Sequence, residues 1–367
     1  MMRILVESDH FLKILPVMLD PATPDEHVRA VADFFAHDIP DFRSWCEDFR
    51  TQVPGLYPAT IEFAADEKEL AAKLPDADAV IVECLALDRD AVSKLKRLAI
   101  VQKFGAILSN IDVEACAARR IAVLSQPRKG NVAVAEQAFA LMIALAKDIG
   151  RYHGVVTAQG LHAIGHTVRS YDRRYTGGSN YARIPGLRTL SGATLGIVGF
   201  GEVGREIATR ANAFGMSLIY HQRTRLPAMD ELALGACYAP LDELMAKSDY
   251  IVVQLPLNDS TRGIIDGKAL QALKPGAILI DTARAGLIDR DALIEALDSG
   301  RLAGLGMDVG YSEPWDGDDP LLKYKDGNVI LMPHTAVGDR RVGLSDLAGM
   351  CRKIWRVLDS RRTGRRN

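Results

Sequence analysis

A glycine-rich loop between a predicted strand and a predicted helix constrains the fold of this chain more than any other feature. The pattern predicts a buried strand at 194–199 and a helix at 202–214, and between them lie Gly199, Gly201 and Gly204 in a GxGxxG arrangement. The first glycine permits a tight turn, the second lets the backbone approach a pyrophosphate, and the third allows close packing of helix on strand. The helix N-terminus adds partial positive charge, so the segment predicts a dinucleotide-binding site.

Strands alternate with helices along most of the chain, which indicates parallel sheets built from βαβ units. Before the glycine loop we predict strands at 3–6, 79–82, 99–102 and 121–124, and helices at 25–37, 89–98, 113–119 and 131–152. From the loop onward we predict six strands, at 194–199, 217–221, 250–254, 277–281, 303–307 and 328–332, and helices near 202–214, 241–246, 266–272, 289–298 and 343–359. Prolines interrupt residues 20–60, where no strand is predicted, and part of 154–192 is predicted to be an extended loop.

Length and charge exclude several classes of protein. The chain has 367 residues, which suggests two domains, and its formal net charge of −2 argues against binding to nucleic acid or to a membrane surface. No long apolar window predicts a membrane span, and acidic residues near the start argue against a secretory signal. Five cysteines without a CxxC pair predict neither a metal site nor disulfides, so we expect a cytoplasmic protein. The arginine-rich end, 361–367, is predicted to be a frayed, solvated terminus.

The end of the second strand after the glycine loop bears on cofactor choice. An acidic residue is expected there when the cofactor is NAD, but the chain has Gln222, followed by Arg223 and Arg225. A carboxylate would repel a 2′-phosphate, whereas an arginine binds one through two hydrogen bonds. The segment therefore favours NADP(H) over NAD(H), with the alternative that both arginines are solvated loop charges.

Three segments that follow predicted strands carry candidate catalytic side chains. The first contains Arg284, the second Glu313 and the third His334. Each residue alone is weak support, because single arginines, Glu-Pro turns and histidines are common in structural roles. A cation, a carboxylate and an imidazole at the ends of strands that follow a dinucleotide-binding loop together predict a site for hydride transfer.

These motifs resemble the D-isomer-specific 2-hydroxyacid dehydrogenase family, which includes phosphoglycerate dehydrogenases and glyoxylate/hydroxypyruvate reductases. The resemblance runs from about 77 to 337, and the spacings of 29 residues from Arg284 to Glu313 and 21 from Glu313 to His334 are similar to those of the family. It is carried by Asn110-Ile-Asp112, residues 130–136, the glycine loop, Leu255-Pro-Leu257 with Thr261, and the three catalytic segments.

The resemblance implies a role for each candidate residue. Arg284 would pair with the substrate carboxylate and polarise the 2-oxo group, His334 would be the general acid or base, and Glu313 would hold the imidazole and stabilise its protonated form. Substrate contacts are expected from Gly105, Ala106 and Ile107 together with Arg284 and His334. Cofactor contacts are expected from Ala106, Gly199, Gly201, Glu202, Val203, Gly204, Gln222, Arg223, Arg225, Leu255, Pro256, Thr261, Thr282, Ala283, Asp308 and Ala336, with Asp308 beside the nicotinamide carboxamide.

The implied architecture is α/β, with two doubly wound parallel-sheet domains, of which the inner one is a Rossmann dinucleotide-binding domain. The outer, substrate-binding domain would be discontinuous (1–125 plus 338–367), the inner domain would span 126–337, and the active cleft would lie between them and close during reduction. A homodimer through the cofactor domain is expected, with a small 2-oxo or 2-hydroxy acid as the substrate.

Departures from the family pattern keep alternatives open. Ile107 stands where the family usually has glycine, Ser109 where aspartate is common, and Ala285 and Ala336 where glycines are usual, while 165–190 is longer than the usual linker and has no assigned role. One alternative is a dehydrogenase of the same fold acting on phosphoglycerate, formate or phosphite. Another is a nucleotide-sensing, corepressor-like binding protein, and a third is a dinucleotide-binding protein without catalysis.

Overall fold

The computed structural model of the protein describes residues 1–93, 95, 97–325 and 327–363 and divides into two compact units. The flanking unit comprises Met1–Gly130 together with the C-terminal part of the chain from Val337 onward. The central unit is the continuous segment Asn131–Ala336.

The flanking unit contains a five-stranded parallel sheet in the order β2-β1-β3-β4-β5. Its strands are β1 Met2–Glu7, β2 Ala59–Ala64, β3 Ala79–Val82, β4 Ile100–Lys103 and β5 Ala122–Ser125. Its helices are α1 Leu15–Leu19, α2 Asp25–Phe35, α3 Phe42–Gln52, α4 Glu67–Lys73, α5 Arg89–Ser93, α6 Val113–Ala118 and, at the end of the described chain, α15 Arg341–Thr363. Short 3₁₀ turns lie at Leu12–Ile14 and Leu74–Asp76.

The central strands β1 and β3 are buried on both faces, which explains their continuous apolar runs. Ile4, Val6 and Ile81 belong to one hydrophobic cluster, which helices α1, α2, α3 and α15 cover. Leu5 and Val80 belong to the cluster on the opposite face, which α4, α5 and α6 cover.

The central unit contains a seven-stranded parallel sheet in the order β12-β11-β10-β9-β6-β7-β8. Its strands are β6 Thr194–Val198, β7 Ser217–His221, β8 Ala236–Tyr238, β9 Tyr250–Val253, β10 Ala277–Asp281, β11 Leu302–Met307 and β12 Val329–Leu331. Its helices are α7 Lys129–Ala146 (whose first two residues belong to the flanking unit), α8 Ile149–Tyr152, α9 Ala158–Ala163, α10 Glu202–Ala213, α11 Ala228–Leu234, α12 Leu241–Lys247, α13 Gly267–Gln271 and α14 Arg290–Asp298, with 3₁₀ turns at Ala285–Leu287 and Pro320–Tyr324.

The strand order of the central unit reverses between β6 and β9, where successive crossovers lie on opposite sides of the first strand. Ile251 and Val253 face one buried cluster, with α12, α13 and α14, while Tyr250 and Val252 face the other, with α7 and α10. This is the doubly wound arrangement expected from the sequence, and ligands bind such sheets outside the carboxyl ends of the strands at the point of reversal.

Several predicted elements differ from the structure. The flanking sheet has a strand, β2, in a region where none was predicted, and the second sheet has seven strands rather than six because β8 adds to its edge. The long helix predicted at 131–152 ends at Ala146, since Asp148 adopts a left-handed backbone conformation with φ of 49°, and α8 is a separate turn. The helix predicted at 89–98 is the shorter α5, with residues 94 and 96 outside the described part of the chain.

The C-terminal segment was predicted to fray from residue 361. Helix α15 instead continues through Thr363, and residues 364–367 lie outside the described part of the chain.

The described residues give two further findings on the class of protein. None of their helices has the length and apolar character that spanning a membrane requires. Within the same residues, no group of three or more His, Cys, Asp or Glu side chains is arranged to hold a metal ion.

Candidate active site

The glycine loop after β6 provides a site for a pyrophosphate. Gly199 has φ of 98°, and a Cβ there would lie 2.4 Å from the carbonyl oxygen of Gln254. A Cβ at Gly204 would lie 2.5 Å from the carbonyl oxygen of Gly199, whereas one at Gly201, the N-cap of α10, would meet nothing within 4 Å. Close packing on one side and open space before the N-terminus of α10 fit a dinucleotide pyrophosphate.

At the end of β7, the two candidate 2′-phosphate arginines differ. Arg225 donates hydrogen bonds of 2.9 and 2.8 Å to the carboxylate of Glu231, which also accepts one from Tyr220 at 2.8 Å. The hydrogen bond from Arg225 is the largest cause that lowers the pKa of Glu231. Arg225 is therefore paired with Glu231, while Arg223 is exposed beside Gln222.

Side chains at the ends of β9 and β10 form a hydrogen-bonded edge next to the glycine loop. The Gln254 amide donates to Thr282 Oγ1 at 2.5 Å, which joins the two strand ends. Thr261 Oγ1 donates to the carbonyl oxygen of Pro256 at 2.6 Å, and Leu255 packs partly against the adjacent core. These residues form one continuous wall of the central unit.

The side chains of His334 and Glu313 are in direct contact. His334 Nδ1 lies 3.0 and 2.9 Å from the two Glu313 carboxylate oxygens, and the backbone N–H of Gly310 donates to Glu313 at 3.3 Å. Burial alone would raise the pKa of Glu313, but the hydrogen bonds from His334 and Gly310 and the charge of Arg284 outweigh it, so this pKa is lowered. An ionised carboxylate only accepts, so Nδ1 carries the proton of this bond and Nε2 is directed away from Glu313.

The backbone at His334 is held in an uncommon conformation by a buried carboxylate. His334 has φ of 56°, in the left-handed region that side chains other than glycine seldom adopt. Asp308 is fully buried and accepts hydrogen bonds from the N–H groups of Thr335 at 3.0 Å and Ala336 at 2.8 Å, and from the Gln137 amide at 3.1 Å. Asp308 thereby fixes the segment that presents the imidazole.

Arg284 projects from a rigid strand end. It has an extended backbone and is exposed, whereas its neighbours Ala283 and Ala285 are buried. Its guanidinium donates to the carbonyl oxygen of Ala283 at 2.6 Å and contributes to the lowered pKa of Glu313. A permanent cation is therefore electrostatically coupled to the His334–Glu313 pair.

The substrate loop predicted at 105–107 belongs to the flanking unit, where it follows β4. The carbonyl oxygen of Gly105 accepts a hydrogen bond of 2.9 Å from the N–H of Gln126 after β5. Ala106 is exposed and Ile107 is half-buried. The central unit, in contrast, contains the glycine loop together with Arg284, Glu313 and His334.

Sequence reasoning missed Asp281, the last residue of β10. It is fully buried, its Oδ1 accepts from the N–H of Ala283 at 2.8 Å, and its Oδ2 has no hydrogen-bond partner within the described residues. Desolvation raises its pKa to about 7, against the opposing effect of the Ala283 and Arg284 N–H groups, and the charge of Asp308 adds to the increase. The sequence feature that could have identified Asp281 is an acidic residue at the end of an otherwise apolar strand.

Comparisons with known proteins agree with this geometry. Residues 139–336 match the model of the family described as D-isomer specific 2-hydroxyacid dehydrogenase, NAD binding domain. The chain is 36% identical over 267 residues to a glyoxylate reductase of Thermococcus litoralis, covering 71% of this chain and 75% of that protein. It is 34% identical over 298 residues to a hydroxypyruvate reductase of Thermotoga maritima, covering 80% and 89%. A crystal structure of a glyoxylate reductase from Paecilomyes thermophila is similar with a TM-score of 0.53 and 28% identity, over 95% of this chain and 93% of that one.

The raised pKa of Asp281 predicts a specific pH dependence of stability. In the unfolded chain this carboxyl ionises near 3.8, whereas in the folded protein it holds its proton to about pH 7. Between these values the folded state binds the extra proton, so this group's contribution to the free energy of unfolding falls as the pH rises, by an amount on the order of 4 kcal/mol at most. Asp281→Asn removes that ionisation and should raise the thermal midpoint relative to the parent more at about pH 8 than at about pH 5.

The matched control is Asp259→Asn, an exposed carboxyl of the same unit, which should leave the pH dependence unchanged. An identical difference between Asp281→Asn and the parent at both pH values would show that Asp281 does not retain a proton in the folded protein.

Proposed function

The chain belongs to the D-isomer specific 2-hydroxyacid dehydrogenase family, and from this premise we propose that it reduces a small 2-oxo acid to the corresponding D-2-hydroxy acid. As a member it is an oxidoreductase that uses a nicotinamide dinucleotide. The observation that carries the proposal is the contact of 2.9 Å between His334 Nδ1 and Glu313, beside the charge of Arg284. Relatives named glyoxylate reductase and hydroxypyruvate reductase support the substrate class.

Binding of the substrate would depend on Arg284 and the flanking-unit loop. The planar guanidinium is suited to a bidentate pair with the substrate carboxylate and also polarises the neighbouring 2-oxo group. The backbone of Gly105, Ala106 and Ile107 would receive the same carboxylate, with the Ile107 side chain narrowing the space available to the substrate tail. In the cofactor site, the glycine loop would hold the pyrophosphate and Thr282 and Leu255 would line the wall.

Proton transfer would be the task of His334. When bound, the reduced nicotinamide supplies a hydride to the 2-oxo carbon. His334 would donate the proton on Nε2 to the carbonyl oxygen, and Glu313 would stabilise the imidazolium that exists before this step. In the direction of oxidation, neutral His334 would take the hydroxyl proton. Asp308 would act as a positioning residue, since it holds the backbone next to His334.

The direct test measures loss of nicotinamide absorbance with glyoxylate, hydroxypyruvate and a bulkier 2-oxo acid, each with NADPH and with NADH. Oxidation that depends on the acid is expected, and the order of the acids would show how Ile107 shapes the pocket. If no acid supports oxidation while either cofactor still binds, the protein acts on another substrate or is a nucleotide-sensing protein.

Replacing the candidate general acid should separate catalysis from binding. His334→Ala is expected to lower turnover by at least ~10²-fold, because the carbonyl oxygen would then be protonated by solvent alone. Cofactor affinity, measured by fluorescence titration, should change little.

His162→Ala, an exposed histidine on α9, serves as the control and should keep its turnover. Near-normal turnover of His334→Ala would remove His334 from the mechanism.

We further propose that NADP(H) is preferred. Gln222 stands in place of an acid that would repel a 2′-phosphate, and exposed Arg223 is a cation suited to bind it. The double variant Gln222→Asp with Arg223→Ala should shift the ratio of kcat/KM for NADPH and NADH toward NADH by at least ~10-fold, the scale of one charge-assisted hydrogen bond.

Arg225→Ala tests the alternative arginine and should mainly lower stability through loss of the Glu231 ion pair. An unchanged ratio in the double variant would place recognition of the 2′-phosphate elsewhere.

A homodimer through the central unit is the proposed assembly. Large apolar side chains are exposed in the segment between helices α7 and α10 of this unit, among them Ile149 at 48%, Val156 at 67% and Tyr175 at 82% exposure. Light scattering after gel filtration should give the mass of two chains, and Val156→Asp should shift the equilibrium toward one chain. Val113→Asp in the flanking unit is the control, and a parent that elutes with the mass of one chain would contradict the proposal.

The proposed location is the cytoplasm, in agreement with the state of the thiols. All five cysteines are free, with Cys46, Cys116 and Cys351 buried in the flanking unit. A reducing compartment preserves such thiols.

A further inference from the structure

The carboxylate of Glu7 occupies a nest of backbone N–H groups in the flanking unit. Glu7 is the last residue of β1, and its Oε2 accepts hydrogen bonds from the N–H groups of Glu83 at 2.6 Å, Cys84 at 2.8 Å and Leu85 at 3.0 Å. Cys84 N–H also lies 3.0 Å from Oε1. Successive N–H groups that converge on one point form a binding site for an anion, and here the anion is the chain's own side chain.

This nest lies where the topology of the flanking sheet favours a ligand. The strand order β2-β1-β3-β4-β5 reverses between β1 and β3. The N–H groups of the nest belong to residues that directly follow β3, and Glu7, which fills it, is the last residue of β1. Ligands of open parallel sheets bind outside the carboxyl ends of the strands at such a reversal. Glu7 therefore fills the position in which a bound anion would be expected.

The nest is tied to the loop that would receive the substrate. Lys103, the last residue of β4, donates from Nζ to the carbonyl oxygen of Glu83 and, at 3.0 Å, to Asn110 Oδ1. The Asn110 amide donates to the carbonyl oxygens of Glu83 at 3.3 Å and Leu85 at 2.8 Å. Since Lys103 and Asn110 flank residues 105–107, one hydrogen-bonded network fixes the nest beside the substrate loop.

The charged groups around the nest disfavour the binding of any anion in addition to the Glu7 carboxylate. The Glu83 carboxylate pairs with Arg128 at 2.5 Å, so this guanidinium is already engaged by an acid. The Lys103 ammonium is engaged by the Glu83 carbonyl oxygen and Asn110. Glu7 adds a negative charge and takes the three N–H donors that a phosphate or carboxylate would need.

We propose that Glu7 is a specificity-determining residue that fills the nest and excludes from it a second anionic group of the substrate, so that the substrate is a 2-oxo acid whose tail carries no negative charge. The inference rests on the proposed function, because it assigns the tail of the substrate of that same reaction. A purely structural role for Glu7 makes a different prediction, namely that its replacement lowers stability without any gain in anion binding.

The test replaces Glu7 and measures both anion binding and substrate choice. Glu7→Ala empties the nest, and Glu7→Gln keeps the shape of the side chain but removes its charge. In the full chain, isothermal titration with inorganic phosphate should show affinity raised at least ~10-fold for Glu7→Ala and about threefold for Glu7→Gln relative to the parent. The ratio of kcat/KM for phosphohydroxypyruvate over hydroxypyruvate should rise at least ~10-fold for Glu7→Ala.

Glu62→Gln on the neighbouring strand β2 is the control for loss of one negative charge, since its carboxylate pairs with Arg3 and lies outside the nest. Folded Glu7 variants with parental phosphate affinity and parental substrate ratio would overturn the proposal, and if Glu7→Ala does not fold, Glu7→Gln decides alone. A parent that reduces neither acid would reject the proposed function, while the phosphate titration would still decide whether Glu7 excludes an anion.

Discussion

Asp308 directly follows strand β11 and its carboxylate is buried, and the candidate active site depends on the hydrogen bonds that this carboxylate accepts. Burying a carboxylate is costly unless donors surround it, and Thr335, Ala336 and Gln137 supply them. These hydrogen bonds fix the geometry of the left-handed turn at His334 despite its backbone strain. The imidazole can then point Nδ1 at a carboxylate and leave Nε2 for a substrate.

The parts of the site that could be predicted depend on a short sequence motif or on the rule that parallel strands end at one edge of a sheet. Gly199 and Gly204 are required by contacts of the loop with its immediate surroundings, so the motif alone predicts the turn and the helix that follows. The contact between Glu313 and His334 was implied by the resemblance to the family, and the structure shows it. Parallel strands place their carboxyl ends along one edge, and this rule makes residues distant in sequence neighbours in space.

The parts that were not predicted depend on pairings that the sequence pattern does not specify. The ion pair of Arg225, a candidate for the 2′-phosphate, with Glu231 on the following helix α11 was not predicted. The role of Glu7 depends on N–H groups far along the chain, and that of Asp281 on complete burial at a strand end. Strands β2 and β8 lie at sheet edges, and because their burial is mixed they lack the apolar signal of the central strands.

The discontinuity of the flanking unit has a consequence for biosynthesis. Leu344, Leu347 and Ile354 of α15 belong to the same hydrophobic cluster as β1 and β3, whereas the central unit is the unbroken segment Asn131–Ala336. Because a ribosome delivers the chain from its N-terminus, the central unit has all of its residues before α15 has been synthesised. The nascent protein must therefore hold the first sheet with one apolar face incompletely covered until α15 has been synthesised, and this is the interval in which a holding chaperone would have most effect on its yield.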